Sequence, residues 1–204
     1  MRGSFASSGR QNNDFLNSFN YPLTINYLPL ITLLVGTSRP QSRTRRVAEF
    51  YASLLDELGA AYQFLDLIDL PADFLNAALY HNAGKHADFN RFTAPLDHSE
   101  RVVIFAPEYN CSIPGALKAF IDALPYPGGL RGKKAALVSL SSGGQGGLLA
   151  LSHLTDILFY LGTNVLPQRV RLPNISQYLS QEGQITDPLL RQVLCEQAEL
   201  LLKW

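Results

Sequence analysis

The stretch Leu30-Ile31-Thr32-Leu33-Leu34-Val35 is an almost unbroken apolar run that stops at Gly36. It lacks the polar alternation of a half-exposed strand. A strand made from it must be covered on both faces, which is the environment of a parallel sheet. Residues 62–65, 102–105 and 135–140 repeat the feature, and 164–166 repeat it more weakly.

Amphipathic helical patterns fall between these runs. Residues 44–58 place Val47, Phe50, Tyr51, Leu54, Leu55 and Leu58 on one side, ahead of Gly59. Residues 114–124 begin with proline and carry Leu117, Phe120, Ile121 and Leu124 on one face. Residues 147–161 carry Leu148, Leu151, Leu154, Ile157, Leu158 and Leu161, and 188–202 form a terminal helix. Strand and helix alternate along the chain. The expected architecture is α/β, a three-layer sandwich with right-handed βαβ crossovers. Periodicity does not give the strand order. The stretch 76–99 reads as a surface excursion with a short helix before the third strand.

A chain of 204 residues suits one domain with a tail. The domain spans 29–204. Residues 1–28 are rich in Ser, Asn and Gly and have no apolar period. They read as a disordered extension or as an arm contacting a second subunit through Phe15, Phe19, Tyr21 and Tyr27. Seventeen basic residues balance seventeen acidic ones, so charge gives no reason to expect nucleic acid or a membrane surface as partner. Two cysteines, Cys111 and Cys195, are too few for a disulfide framework. No apolar run approaches the roughly 18 residues of a membrane span, and no signal-peptide pattern opens the chain. A cytoplasmic protein with reduced thiols is expected. His81 and His86 match no standard metal-ligand spacing, so no metal is expected.

Open α/β sheets bind ligands beyond the carboxyl ends of their strands, and three loops lie at such ends. The first, 36–44 (GTSRPQSRT), combines hydroxyls, Arg39, Arg43 and the start of a helix, the ingredients of an anion site. A plain helix cap by Ser42 or Thr44 is the other reading of it. The second, 107–115, reads PEYNCSIPG, and the third, 141–147, reads SSGGQGG. Glycines in the third loop let backbone approach a flat ring closely.

PEYN-x-SIPG-x-LK followed by Ile121-Asp122 resembles the signature of the NADPH-dependent FMN reductase family, which includes azoreductases, quinone reductases and chromate reductases. The first loop is similar to that family's G-S-x-R-x-x-S-x-N phosphate loop at Gly36, Arg39 and Ser42. Thr37 stands in place of Ser and Thr44 in place of Asn. The resemblance covers roughly residues 30–170. It implies a flavodoxin-like, five-stranded parallel sheet of order 2-1-3-4-5, noncovalent FMN, NADPH or NADH as co-substrate, and a homodimer or homotetramer. It also implies site roles. Thr37, Arg39, Ser42 and Thr44 hold the FMN phosphate. Pro107, Glu108, Tyr109 and Asn110 flank the ribityl chain and ring, with Glu108 hydrogen-bonded there or facing a second subunit. Ser141, Gly143, Gly144 and Gln145 meet the pyrimidine edge, where backbone N–H groups and the helix starting at Gly147 favour the charge of reduced flavin.

No side-chain nucleophile or base is expected, because hydride transfer is the cofactor's chemistry. The acceptor would be a quinone, an azo compound, a metal oxyanion or free flavin. The competing reading is a flavodoxin-like electron carrier without NAD(P)H turnover.

Overall fold

Period-two alternation divides the apolar residues of the strands between two cores. One face takes Ile31, Leu33, Val35, Val103, Phe105, Ala136 and Val138, and the other takes Leu34, Val102, Ile104, Ala135 and Leu137. A slip of one residue would exchange the two sets, each member of which contributes roughly 1.5–3 kcal/mol by burial if it is a large aliphatic or aromatic side chain.

The computed structural model describes residues 29–126 and 128–204. The expected extension over 1–28 lies outside them. The elements in chain order are β1 (Ile31–Val35), α1 (Arg43–Glu57), β2 (Tyr62–Asp66), α2 (Phe74–Ala77), α3 (Ala87–Asp97), β3 (Arg101–Pro107) and α4 (Gly115–Ala123). They continue with β4 (Lys134–Leu140), α5 (Leu148–Tyr160), β5 (Asn164–Val165), β6 (Val170–Leu172), α6 (Ile175–Tyr178) and α7 (Pro188–Lys203). All strand pairs are parallel, in the order β2-β1-β3-β4-β5, with β6 also on β4. Helices α1 and α7 cover the first face, and α3, α4 and α5 cover the second. This is the flavodoxin-like order implied by the resemblance.

The outermost strand position differs from the single run at 164–166. It is filled by β5 and then β6. Five steps of chain from Val165 to Val170 face three from Ala135 to Val138, so two extra residues bulge out beside Pro167, which has no N–H to donate. The side chain of Gln197 on α7, fully buried, repairs the gap. Its Nε2 donates to the Leu137 carbonyl at 3.0 Å and to the Gln168 carbonyl at 2.7 Å. The Tyr51 hydroxyl, in the same layer, is buried with no hydrogen-bond partner among the described residues. Burial pushes its pKa upward, which keeps it neutral.

Two further expectations meet different outcomes. The short helix expected within 76–99 is α3, whose N-cap His86 accepts the Phe89 N–H through Nδ1 at 3.1 Å. Leu148, expected on the buried face of α5, is instead 46% exposed, with Leu149 beside it at 45%. It occupies the first turn, in which Ala150 and Leu151 take the buried side.

Candidate functional site

Parallel strands bring their carboxyl ends to one edge, and at that edge the three loops meet. The first leaves β1 at Gly36, whose N–H bonds the Phe105 carbonyl at 2.8 Å and so carries the β1–β3 pairing one residue further. Ser42 ends this loop as the N-cap of α1, its Oγ accepting the Arg45 N–H at 3.1 Å. The capping reading is therefore borne out, and it leaves other N–H groups of the first turn without an acceptor inside the helix.

Two ties join the loops. Thr37 Oγ1 lies 3.0 Å from the Tyr109 hydroxyl, linking the first loop to the second. Glu108 Oε2 accepts the Gly147 N–H at 2.9 Å, linking the second to the third. The second loop folds back on itself as a tight turn. Tyr109 and Ser112 exchange N–H···O bonds of 2.9 and 3.0 Å, and Asn110 and Cys111 between them have φ of 51° and 59°. That is the backbone of a type I′ turn, which asparagine tolerates well and cysteine poorly. Ser112 Oγ in turn meets His153 Nδ1 of α5 at 2.9 Å. The third loop is pinned from below. Ser141 Oγ accepts the Gly146 N–H at 2.9 Å, and Asn174 donates its N–H to the Gly143 carbonyl at 3.0 Å.

The result is a cleft in two adjoining parts. A cavity of about 300 Å³ is lined by Arg39, Ser42, Arg43, Thr44 and Arg46 of the first loop and α1, by Pro107, Glu108 and Tyr109 of the second, and by Ser141 and Ser142 of the third. A more open cavity of about 700 Å³ shares Arg39, Glu108, Tyr109, Ser141 and Ser142 with it and adds Asn110, Cys111, Gly143, Gly144 and Gln145. Arg46 is anchored by its guanidinium to the carbonyls of Ser180 and Gln181. Among the described residues Arg39 and Arg43 form no ion pair. Arg45, by contrast, is held by Glu49 at 2.9 Å and Asp66 at 3.2 Å and does not line the cavity.

Of the twelve residues expected at the site, eleven line one cavity or both. Thr37 does not. It is 1% exposed, and its hydroxyl accepts the Arg39 N–H at 3.3 Å besides meeting Tyr109. Its side chain shapes the loop from behind. The Gly147 N–H, expected to face reduced flavin, is engaged by Glu108. Sequence reading missed Arg46 and Ile175, which also line the smaller cavity. Ile175 arrives through β6 and α6, and neither three nor four residues make a readable pattern. Arg46 carried a signal, since it lies one helical turn after Ser42, on the side facing the loop.

The family model described as NADPH-dependent FMN reductase matches residues 29–177. The chain is 28% identical over 169 residues to the NADPH azoreductase of Bacillus sp. (strain OY1-2), covering 81% of this chain and 89% of that one. It is 32% identical over 134 residues to a quinone reductase of Pseudomonas putida, covering 64% and 70%. Among solved structures, FerB, a flavoenzyme NAD(P)H:(acceptor) oxidoreductase from Paracoccus denitrificans, superposes with a TM-score of 0.73 at 25% identity, over 86% of this chain and 96% of that one. Flavodoxin 1 from Bacillus cereus shares the fold, with a TM-score of 0.56 at 16% identity, over 85% and 97% of the two chains.

Proposed function

Because this chain belongs to the NADPH-dependent FMN reductase family, we propose that the cleft between its three loops is the seat of FMN. The protein is an NAD(P)H-dependent oxidoreductase with FMN as its cofactor. The observation that carries the assignment of the cleft is the convergence of all three loops, tied at Thr37–Tyr109 and Glu108–Gly147, on one two-part cavity.

The residues present fit the group. The smaller cavity joins buried hydroxyls of Ser42 and Thr44, the start of the fifteen-residue helix α1 and three arginines. That donor set suits a phosphate dianion. The larger part offers glycine backbone at 143 and 144, where an added Cβ would meet no atom within 4 Å. A planar ring can therefore lie against these peptides. Arg39, Ser42 and Thr44 are assigned to the phosphate, with Thr37 holding the loop behind them. Pro107, Tyr109 and Asn110 are assigned to the ribityl chain and ring, and Ser141, Gly143, Gly144 and Gln145 to the pyrimidine edge. FMN held by these residues would supply the hydride-transfer chemistry between NAD(P)H and an acceptor. The chain's own residues bind and orient it, and no side chain of the cleft is needed as nucleophile or base.

The acceptor is a small molecule, and we assign it to the quinone or azo class, supported by the names of the relatives. The alternative of a flavodoxin-like carrier has less support, since the balance of seventeen basic and seventeen acidic residues provides no acidic surface to steer basic redox partners. No helix among the described residues is long and apolar enough to cross a membrane. We assign the protein to the cytoplasm, where its pyridine-nucleotide reductant is available.

Anaerobic addition of NADPH, then of NADH in a second sample, to FMN-loaded protein tests the assignment. Loss of the flavin's visible absorbance is expected with at least one. Persistent colour with both would leave only the carrier. Arg39→Ala should weaken FMN binding by about 1.5–3 kcal/mol, the worth of a hydrogen bond to a charged group. An unchanged dissociation constant in a fluorescence titration would remove Arg39 from the phosphate site.

We also propose a homodimer built on α4 and α5. Tyr126, Phe159 and Tyr160 are 71%, 60% and 78% exposed, and Tyr126 and Tyr160 border a groove of about 510 Å³ that includes Ile121, Leu124, Pro125 and Ile157. Large aromatics at the centre of an interface dominate its energy. Tyr160→Asp should weaken association by about 2 kcal/mol or more, seen in sedimentation velocity as a shift toward monomer. An unaltered sedimentation profile would place any interface elsewhere.

A further inference from the structure

Glu108 differs in kind from its neighbours in the cleft. It is the single carboxylate among the described residues lining either cavity, facing a rim that carries Arg39, Arg43 and Arg46. It is nevertheless bonded to the chain's own backbone. Oε2 accepts the Gly147 N–H at 2.9 Å, and the Glu108 N–H donates to the Leu140 carbonyl at 2.9 Å. Gly147 is the N-cap of α5 and has φ of 82°. The N–H groups at a helix start have no acceptor within the helix. A carboxylate there makes a charge-assisted bond and neutralises the positive end of the helix dipole. The adjacent N–H, of Gly146, is held by Ser141 Oγ. Two successive N–H groups of the glycine-rich loop are thus engaged by side chains, while among the described residues the N–H groups of Gly143 and Gly144 make no hydrogen bond.

We propose that Glu108 is a positioning residue. It ties the β3–α4 loop to the start of α5, fixes the glycine-rich loop in the form that receives the flavin, and keeps a negative charge beside the seat. This rests on the reading of the cleft as the FMN site. A fixed negative charge opposes the arrival of electrons, so the tie has a consequence beyond shape. With the carboxylate in place and the helix dipole neutralised, bound FMN is harder to reduce and a stronger donor once reduced.

Two variants separate shape from charge. Glu108→Gln retains an oxygen that can accept the Gly147 N–H but carries no charge, whereas Glu108→Ala has neither. Three readouts are needed: amide hydrogen exchange at Gly147 in FMN-free protein, FMN affinity by fluorescence titration, and the midpoint potential of bound FMN. For Glu108→Ala, exchange at Gly147 should accelerate and FMN affinity should fall, each by about tenfold or more. Glu108→Gln should keep both within about threefold of the parent, while the midpoint potential moves to a more positive value.

Unchanged exchange in Glu108→Ala would overturn the tie. A Glu108→Gln protein with parental potential would overturn the charge effect. Failure of the parent protein to bind FMN would overturn the reading of the cleft and the redox consequence with it. Exchange at Gly147 would then still decide the tie, because it is measured without the cofactor.

Discussion

Gly147→Ala is expected to destabilise the protein by about 2–5 kcal/mol, combining roughly 1–2 for a left-handed backbone with roughly 1–3 for overpacking. A Cβ at this position would fall 1.7 Å from Ser139 Oγ and 2.5 Å from Ser139 Cβ. Ser139 has nowhere to retreat. It is completely buried in β4, and its hydroxyl is fixed by a 2.6 Å bond to the Ala106 carbonyl of β3. Relief must come from moving α5 or bending the central strands, and both disturb a packed core. Urea unfolding monitored by circular dichroism gives the measurement. A loss below about 1 kcal/mol, the ordinary size for a point substitution, would show that the contact yields easily.

Gly144→Val should do the opposite. No heavy atom stands within 4 Å of a Cβ built there, and the residue is not in the left-handed region. Stability should stay within about 0.5 kcal/mol of the parent, as for surface positions free of packing or strain. FMN affinity should fall by at least about a hundredfold, equivalent to roughly 2.7 kcal/mol, because a branched side chain would stand where the ring meets the backbone. Unfolding and FMN titration on the same preparation test both halves. Normal FMN content would reject the close approach of peptide and ring. Three residues apart, then, the same residue type serves different masters: at 147 the chain itself requires glycine, and at 144 only a ligand does.

Much of this was legible in the sequence for a simple reason. Strands covered on both faces must be apolar throughout, so β1, β3 and β4 announce themselves. Helices α1 and α4 bury the faces that their three- and four-residue spacing draws, with Val47, Phe50, Tyr51 and Leu54 in one and Leu117, Phe120 and Ile121 in the other. The site was legible because it consists of loops at strand ends, each contiguous in sequence. The order of the strands was another matter. It depends on which crossover goes to which edge, and it came from the resemblance of the PEYN loop to a known family.

What stayed hidden depends on contacts across long separations. Nothing near Thr37 says that its hydroxyl will turn inward to meet Tyr109, seventy-two positions on. Nothing near Leu148 says that the first turn of α5 will leave it at the surface. The three residues of β6 include an exposed Arg171 and form no pattern. Glu108 was expected to be hydrogen-bonded, on the ground that an unpaired buried carboxylate is costly. Its partner, a glycine N–H thirty-nine residues away, could be found only in three dimensions.

The amide of Gln197 has a bearing on how the molecule comes into being. Chains emerge amino end first and fold as they are made, yet this rung at the sheet's border is furnished by a residue of α7, 60 positions after the carbonyl that it serves. Until that helix has been synthesised and has docked, the carbonyl of Leu137 lacks its native partner and the border stays unfinished. A polypeptide that carries β4 without α7 has this rung open, and an unsealed margin invites pairing with neighbouring chains.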